Sequence, residues 1–112
     1  MMKRSVFFLL ILVILSGCTN RIGGDYFFEH ITAMENQLEK TNWVLLSEEA
    51  SKLKNMYSDN KWKLQLLGDE TEYEGLHDNI NKLIAAIDVE DQTETKVGLA
   101  AIESLLENIY SL

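Results

Sequence analysis

Apolar residues recur at steps of three and four along most of the chain after residue 25, which is the spacing of an α-helix. The longest series continues for about seven helical turns without losing phase. Its members are Trp43, Leu46, Ala50, Leu53, Tyr57, Asn60, Leu64 and Leu67. The polar stretch 58–60 falls inside it and is a possible break. The phase persists to Leu67, so the pattern favours one continuous helix, with Asn60 as a polar position that fixes register.

Three shorter series with the same period predict three more helices. In chain order they are Phe27, Ile31, Met34 and Leu38; Tyr73, Leu76, Ile80, Leu83 and Ile87; and Leu99, Ile102, Leu106 and Ile109. The chain has no proline and few glycines, a composition that is poor in turn residues for a β-rich fold. We therefore predict an all-α fold. It is an up-and-down antiparallel helical bundle of three long helices plus a shorter N-terminal helix.

Polar residues between the series predict where the helices begin and end. Asp25 suits the N-cap of the first helix, Asn42 that of the second, and Asp69 or Thr71 that of the third. Gly68 suits a left-handed residue that ends the second helix. We expect the second helix to pack against the third and fourth helices, because its apolar series is the longest.

The N-terminus follows a different pattern. A basic pair at positions 3 and 4 precedes an apolar run, which ends in Leu15, Ser16, Gly17 and Cys18. This order is typical of an exported lipoprotein signal with its lipobox. A transmembrane helix needs about 20 apolar residues, whereas the run from residue 6 to residue 17 has 12. We predict lipidation of Cys18, the only cysteine of the chain.

The chain therefore divides into three parts: residues 1–17 are a signal peptide, 18–24 the lipidated cysteine and a flexible tether, and 25–112 the helical bundle domain. An N-terminal diacylglycerol would anchor the protein to the extracytoplasmic face of the cell membrane. The formal net charge is −8, and loss of Lys3 and Arg4 leaves 8 basic against 18 acidic residues. Such acidity disfavours nucleic acid as a partner, because nucleic acid is a polyanion.

Three apolar residues fall outside the long apolar series. Trp62 and Leu66 lie nearly opposite it on the helix, and Val44 lies on the same side near the other end. Either the first helix covers them, or a break at Ser58-Asp59 resets the phase of the helix, or they bind a protein partner. Our main hypothesis is thus a non-catalytic, lipid-anchored envelope protein that mediates a protein–protein interaction.

Other site chemistries have weaker support in the sequence. Glu74 and His77 have the Glu-x-x-His spacing of a di-iron bundle ligand pair, but the chain offers no second such pair. No serine stands at a suggestive spacing from His30 or His77, so we do not expect an enzyme. We also expect no cofactor. The alternatives are a small-ligand or metal-binding lipoprotein that uses His77 and nearby acids, or a structural homo-oligomer.

Several of these residues together resemble one known family. They are Trp43 at the start of the long helix, the stretch Lys61-Trp62-Lys63, and His77-Asp78 followed by Ile80, within a region from Phe28 to Ile109. The chain resembles the domain of unknown function 4363 family of small exported bacterial proteins. This resemblance implies a helical envelope protein without an assigned activity, and it transfers no functional residues.

Overall fold

The computed structural model describes residues 24–111, which form four helices. They are α1 (Asp25–Glu39), α2 (Trp43–Leu67), α3 (Glu70–Asp88) and α4 (Gln92–Tyr110). Within this range the chain has no β-strand, and α2 continues without a break through residues 58–60. The predictions of an all-α fold, of a continuous second helix and of a shorter first helix are confirmed.

The four helices form a ring in which each packs against two neighbours. α1 lies between α2 and α4, α3 lies between the same two helices, and α2 only touches α4 across the diagonal. The prediction that α2 packs against the third and fourth helices is therefore half wrong. The short turn after α1 places that helix beside α2, and α4 closes the ring against α1 and α3.

The bundle has two distinct ends. The tether end holds Gly24, the junction of α2 with α3, and the C-terminus of α4, since Gly24 packs on Tyr110 and Gly68 on Ile109. The distal end holds the two tight turns at residues 40–42 and 89–91. The predicted tether, which ends at Gly24, therefore joins the bundle at this end.

The core consists of the predicted apolar series with a few additions. Most members of the four series are at least 94% buried. Trp43, Asn60, Leu67 and Tyr73 are only partly buried, because they lie towards the helix ends or the edge of the core. The series omitted five other buried side chains, which are those of Phe28, Met56, Ala86, Thr95 and Tyr110. Four of them are next in sequence to a member of a series and so flank the predicted stripe. Thr95 lies on the stripe, four residues before Leu99, and was missed because threonine is polar.

Side-chain caps begin three of the helices. The Leu45 backbone N–H donates to Asn42 Oδ1 over 3.2 Å, so the predicted cap of α2 is confirmed. Asp69 caps α3 in a capping box with Glu72, through bonds of 2.8 and 3.0 Å. The predicted role of Asp25 is wrong: it lies inside the first turn of α1, and Gly24 occupies the cap position without a side-chain bond.

The prediction of a left-handed Gly68 is also wrong. Its backbone is extended, with φ −112° and ψ 165°, and a Cβ there would lie 2.9 Å from Ile109 Cγ1. Glycine is needed at this position for close packing rather than for its backbone freedom. The left-handed residues are instead Thr41 (φ 51°) and Glu90 (φ 54°), each directly before the residue that caps the next helix.

Candidate functional site

The large apolar side chains that the described residues leave exposed fall into two groups, one at each end of the bundle. Six such side chains are exposed, and three lie towards each end. Those towards the tether end are Tyr26, Trp62 and Leu66, and those towards the distal end are Val44, Val89 and Val97. These side chains do not pack into the core, so they are candidate contact sites for other molecules.

We call Tyr26, Trp62 and Leu66 the tether-end patch. Trp62 is 60% exposed, so α1 does not cover it. Tyr26 of α1 and Leu66 of α2 both line a groove of about 240 Å³. Lys63 also lines this groove, and its Nζ lies 5.4 Å from the centroid of the Trp62 ring. The patch therefore combines exposed aromatic rings with a lysine, in a cation–π geometry.

Val44 does not belong to that patch. It is 75% exposed, but it precedes Trp62 by 18 residues on the same helix, which is about 27 Å along the axis. The structure thus places Leu66 at one groove with Tyr26, which sequence reasoning missed, leaves Trp62 one helical turn from Leu66 on α2, and separates Val44 from all three. Tyr26 could have been noticed as the aromatic residue before Phe27 that falls outside the apolar series.

Val44 instead borders a shallow groove at the distal end, of about 400 Å³, which we call the distal groove. It lies between the first turns of α2 and the end of α3, and is lined by Trp43, Val44, Ser47, Glu48, Ile87, Asp88 and Glu90. Three of these residues are acidic. Among the described residues that line it, none is lysine or arginine, so the groove favours a cationic group above an apolar floor.

A third depression lies between α1 and α4 and is also acidic. Glu35, Glu39, Glu103 and Lys96 line this cleft of about 350 Å³. Partial burial raises the pKa of Glu35, and the charge of Glu103 together with its side-chain hydrogen bond raises it further. Lys96 supplies one positive charge in the same cleft, which offsets part of this acidity.

The histidines make structural contacts. The His77 ring stacks on Tyr57 with centroids 5.1 Å apart, and His30 Nε2 lies 2.7 Å from the backbone oxygen of Glu49. Glu74 and His77 are both exposed on α3. Within residues 24–111 no group of three histidine, cysteine, aspartate or glutamate side chains is placed to hold a metal ion. The alternative metal site at His77 thus lacks a set of three ligands in this part of the chain.

The lipobox and Cys18 lie outside the described residues. Within residues 24–111, none of the helices is both long and apolar enough to span a bilayer. The comparison with family models bears on the N-terminus directly: residues 2–19 match the prokaryotic membrane lipoprotein lipid attachment site. This match supports attachment of the chain to a membrane through lipid.

A second family model covers the bundle. Residues 24–112 match the model described as Domain of unknown function (DUF4363), which extends over all four helices. The searches of curated proteins and of solved structures found no match. The chain therefore belongs to the DUF4363 family and carries a lipoprotein attachment site ahead of the family domain.

Proposed function

We propose that the protein is a non-catalytic binding module, held by lipid on the outer face of the cytoplasmic membrane, that binds a basic segment of another protein in the distal groove. The observation that carries this proposal is the exposure of Val44 (75%) and Val89 (74%) at the distal end, where Val44 and the half-buried Trp43 line the groove. The core is complete without these valines, so their exposure serves no packing purpose.

The composition of the distal groove supports a basic partner. Trp43 and Ile87 supply an apolar floor, and Glu48, Asp88 and Glu90 supply carboxylates around it. A lysine or arginine side chain can lay its methylene stem on such a floor and direct its charge towards the carboxylates. An indole ring at this place adds a cation–π surface.

The position of the distal groove supports a partner that approaches from outside the membrane. α2 has 25 residues, which gives a length of about 37 Å. The groove is thus separated from the tether end by nearly the whole bundle. A lipid anchor at the opposite end leaves the groove free to bind.

Site-specific photo-crosslinking in native membranes tests this proposal. A photoreactive amino acid replaces Val44 in the lipidated protein, and the matched control carries it at Asn55, an exposed polar position on the same helix. We expect an adduct from position 44 and a several-fold weaker one from position 55. The adduct should be lost when Glu48→Lys and Glu90→Lys reverse two charges of the groove.

Three outcomes would contradict the proposal. Equal adducts from the two positions would show that the groove has no special affinity. An adduct that survives the charge reversal would exclude recognition of a basic segment. An adduct with the mass of two copies of this chain would indicate the structural homo-oligomer instead.

A further inference from the structure

The tether-end patch lies where the lipid anchor enters the bundle. Gly24 packs tightly there, since a Cβ would lie 2.9 Å from Phe28 Cε2 and 3.0 Å from Tyr110 Cγ. Six peptide links join Gly24 to Cys18, and an extended chain of that length reaches at most about 22 Å. The anchor therefore holds this end of the bundle beside the bilayer.

The exposed rings of the patch are close to that end. Tyr26 follows Gly24 by two residues, and Leu66 precedes the end of α2 by one. Trp62 is five residues from the same end, or about 8 Å along the helix axis. A modest tilt of the bundle towards this side is enough to bring all three side chains to the lipid headgroups.

The size of the patch favours a bilayer over a second folded domain. Tyr26, Trp62 and Leu66 are 54%, 60% and 77% exposed, which amounts to roughly 400 Å² in total if each side chain offers about 200 Å². A stable protein interface buries about 800 Å² on each partner. A contact with the bilayer needs far less area, because the anchor already supplies a high effective concentration.

The chemistry of the patch also suits the membrane interface. Tryptophan and tyrosine concentrate at the headgroup level, where the ring is apolar and the polar atom stays hydrated. Lys61 and Lys63, exposed on either side of Trp62, can direct their charges towards lipid phosphates. Asp25 and Asp59 are exposed beside the same patch, so the two lysines leave this side close to neutral. The whole chain has a net charge of −8, and its more acidic sides are repelled by anionic lipid.

We propose that Tyr26, Trp62 and Leu66 insert among the headgroups of the bilayer that holds Cys18, so that the bundle stands with its distal groove away from the membrane. The patch is then a second membrane contact, which orients the domain. This inference does not depend on the identity of any partner in the distal groove.

Spin labels on α2 test the proposal with a matched pair of positions. Leu66→Cys and Val44→Cys replace side chains of nearly equal exposure, 77% and 75%, at opposite ends of the same helix. Each lipidated variant is labelled with a nitroxide at the new cysteine only, because the thioether to diacylglycerol blocks the Cys18 thiol. It is then placed in vesicles of equal parts phosphatidylglycerol and phosphatidylcholine that contain no other protein. Electron paramagnetic resonance then measures collisions of each label with oxygen and with a water-soluble nickel complex.

We expect the ratio of oxygen to nickel collisions to be several-fold higher at position 66 than at position 44. The difference between the two positions should vanish when each variant also carries Cys18→Ser. This substitution prevents both lipidation and labelling at residue 18. Equal, water-like ratios at both positions would overturn the proposal, and lipid-like ratios at both would show a bundle lying flat. If position 66 is protected from the nickel complex in native membranes but not in the vesicles, the proposal is overturned in favour of a protein partner.

Trp62 fluorescence in a Trp43→Phe variant provides an independent readout. An emission spectrum that does not change when vesicles are added would contradict insertion.

Discussion

Leu83 of α3 and Gly98 of α4 face each other across the interface between these two helices. Leu83 is fully buried, and a Cβ built on Gly98 would lie 3.3 Å from Leu83 Cδ1, 3.7 Å from its Cβ and 3.8 Å from its Cα. The first distance is tighter than ordinary van der Waals contact, whereas the other two are ordinary. Gly98 therefore makes room for the end of the Leu83 side chain, and the two residues should be energetically coupled.

The magnitudes follow from this geometry. Leu83→Ala removes a fully buried side chain and should lower the free energy of unfolding by about 2–5 kcal/mol. Gly98→Ala gains about 1 kcal/mol of helix propensity, but the added methyl group meets Leu83 Cδ1, so we expect little net change in the natural chain. In the Leu83→Ala background that atom is absent, and the full gain of about 1 kcal/mol should appear.

Urea unfolding of the chain from Gly24 onward, followed by far-ultraviolet circular dichroism, measures these differences. Gly75→Ala is the matched control, because a Cβ at Gly75 would meet only Leu105, at 3.6 and 3.8 Å. It should stabilise the natural chain by about 1 kcal/mol. If Gly98→Ala stabilises both backgrounds as much as Gly75→Ala does, the close contact between Leu83 and Gly98 is refuted.

Four further predictions concern single positions. Glu90→Gly should raise the free energy of unfolding by about 1 kcal/mol in urea titrations, because Glu90 has φ 54° and glycine adopts that conformation without cost. The pKa of Glu35 is higher in the folded than in the unfolded state, so ionisation of its carboxyl group destabilises the fold as the pH rises. Glu35→Gln removes this charge and should raise the unfolding temperature at neutral pH. This gain should disappear below the ordinary pKa of 4.5, where the carboxyl group is protonated in both states. Trp62→Ala should change the free energy of unfolding by less than about 1 kcal/mol, since Trp62 is 60% exposed; a larger loss would place it in the core. Cys18→Ser should abolish metabolic lipid labelling, and persistent labelling would refute the attachment site.

The fold was largely predictable because the spacing of apolar residues within each helix indicates which face is buried. The series in α2, α3 and α4 identified residues such as Leu53, Leu83 and Leu106, all of which are fully buried. The caps Asn42 and Asp69 were predictable for the same reason, since a cap depends on residues within one turn. The prediction of Asp25 as a cap was wrong because the preceding residue, Gly24, packs on Phe28 and Tyr110 and takes the cap position.

Other features depend on contacts between helices and were not predictable. Thr41 and Glu90 adopt the left-handed conformation because the tight turns impose it. Neither residue is a glycine, so the sequence does not indicate this conformation. The close approach of Gly68 to Ile109 joins residues that are far apart in the sequence. α2 has α1 rather than α4 as its second main neighbour. This arrangement likewise depends on how the four helices pack into a ring.

The candidate surfaces divide in the same way. The sequence by itself determined that Trp62, Leu66 and Val44 lie off the apolar series of α2, because helical periodicity is a local property. Only the tertiary structure decided that α1 leaves Trp62 uncovered, that Tyr26 joins Leu66 at one groove, and that Val44 belongs to an acidic groove at the opposite end. The physical reason is that exposure and neighbourhood depend on which helices cover which faces, and packing sets these relations between distant parts of the chain.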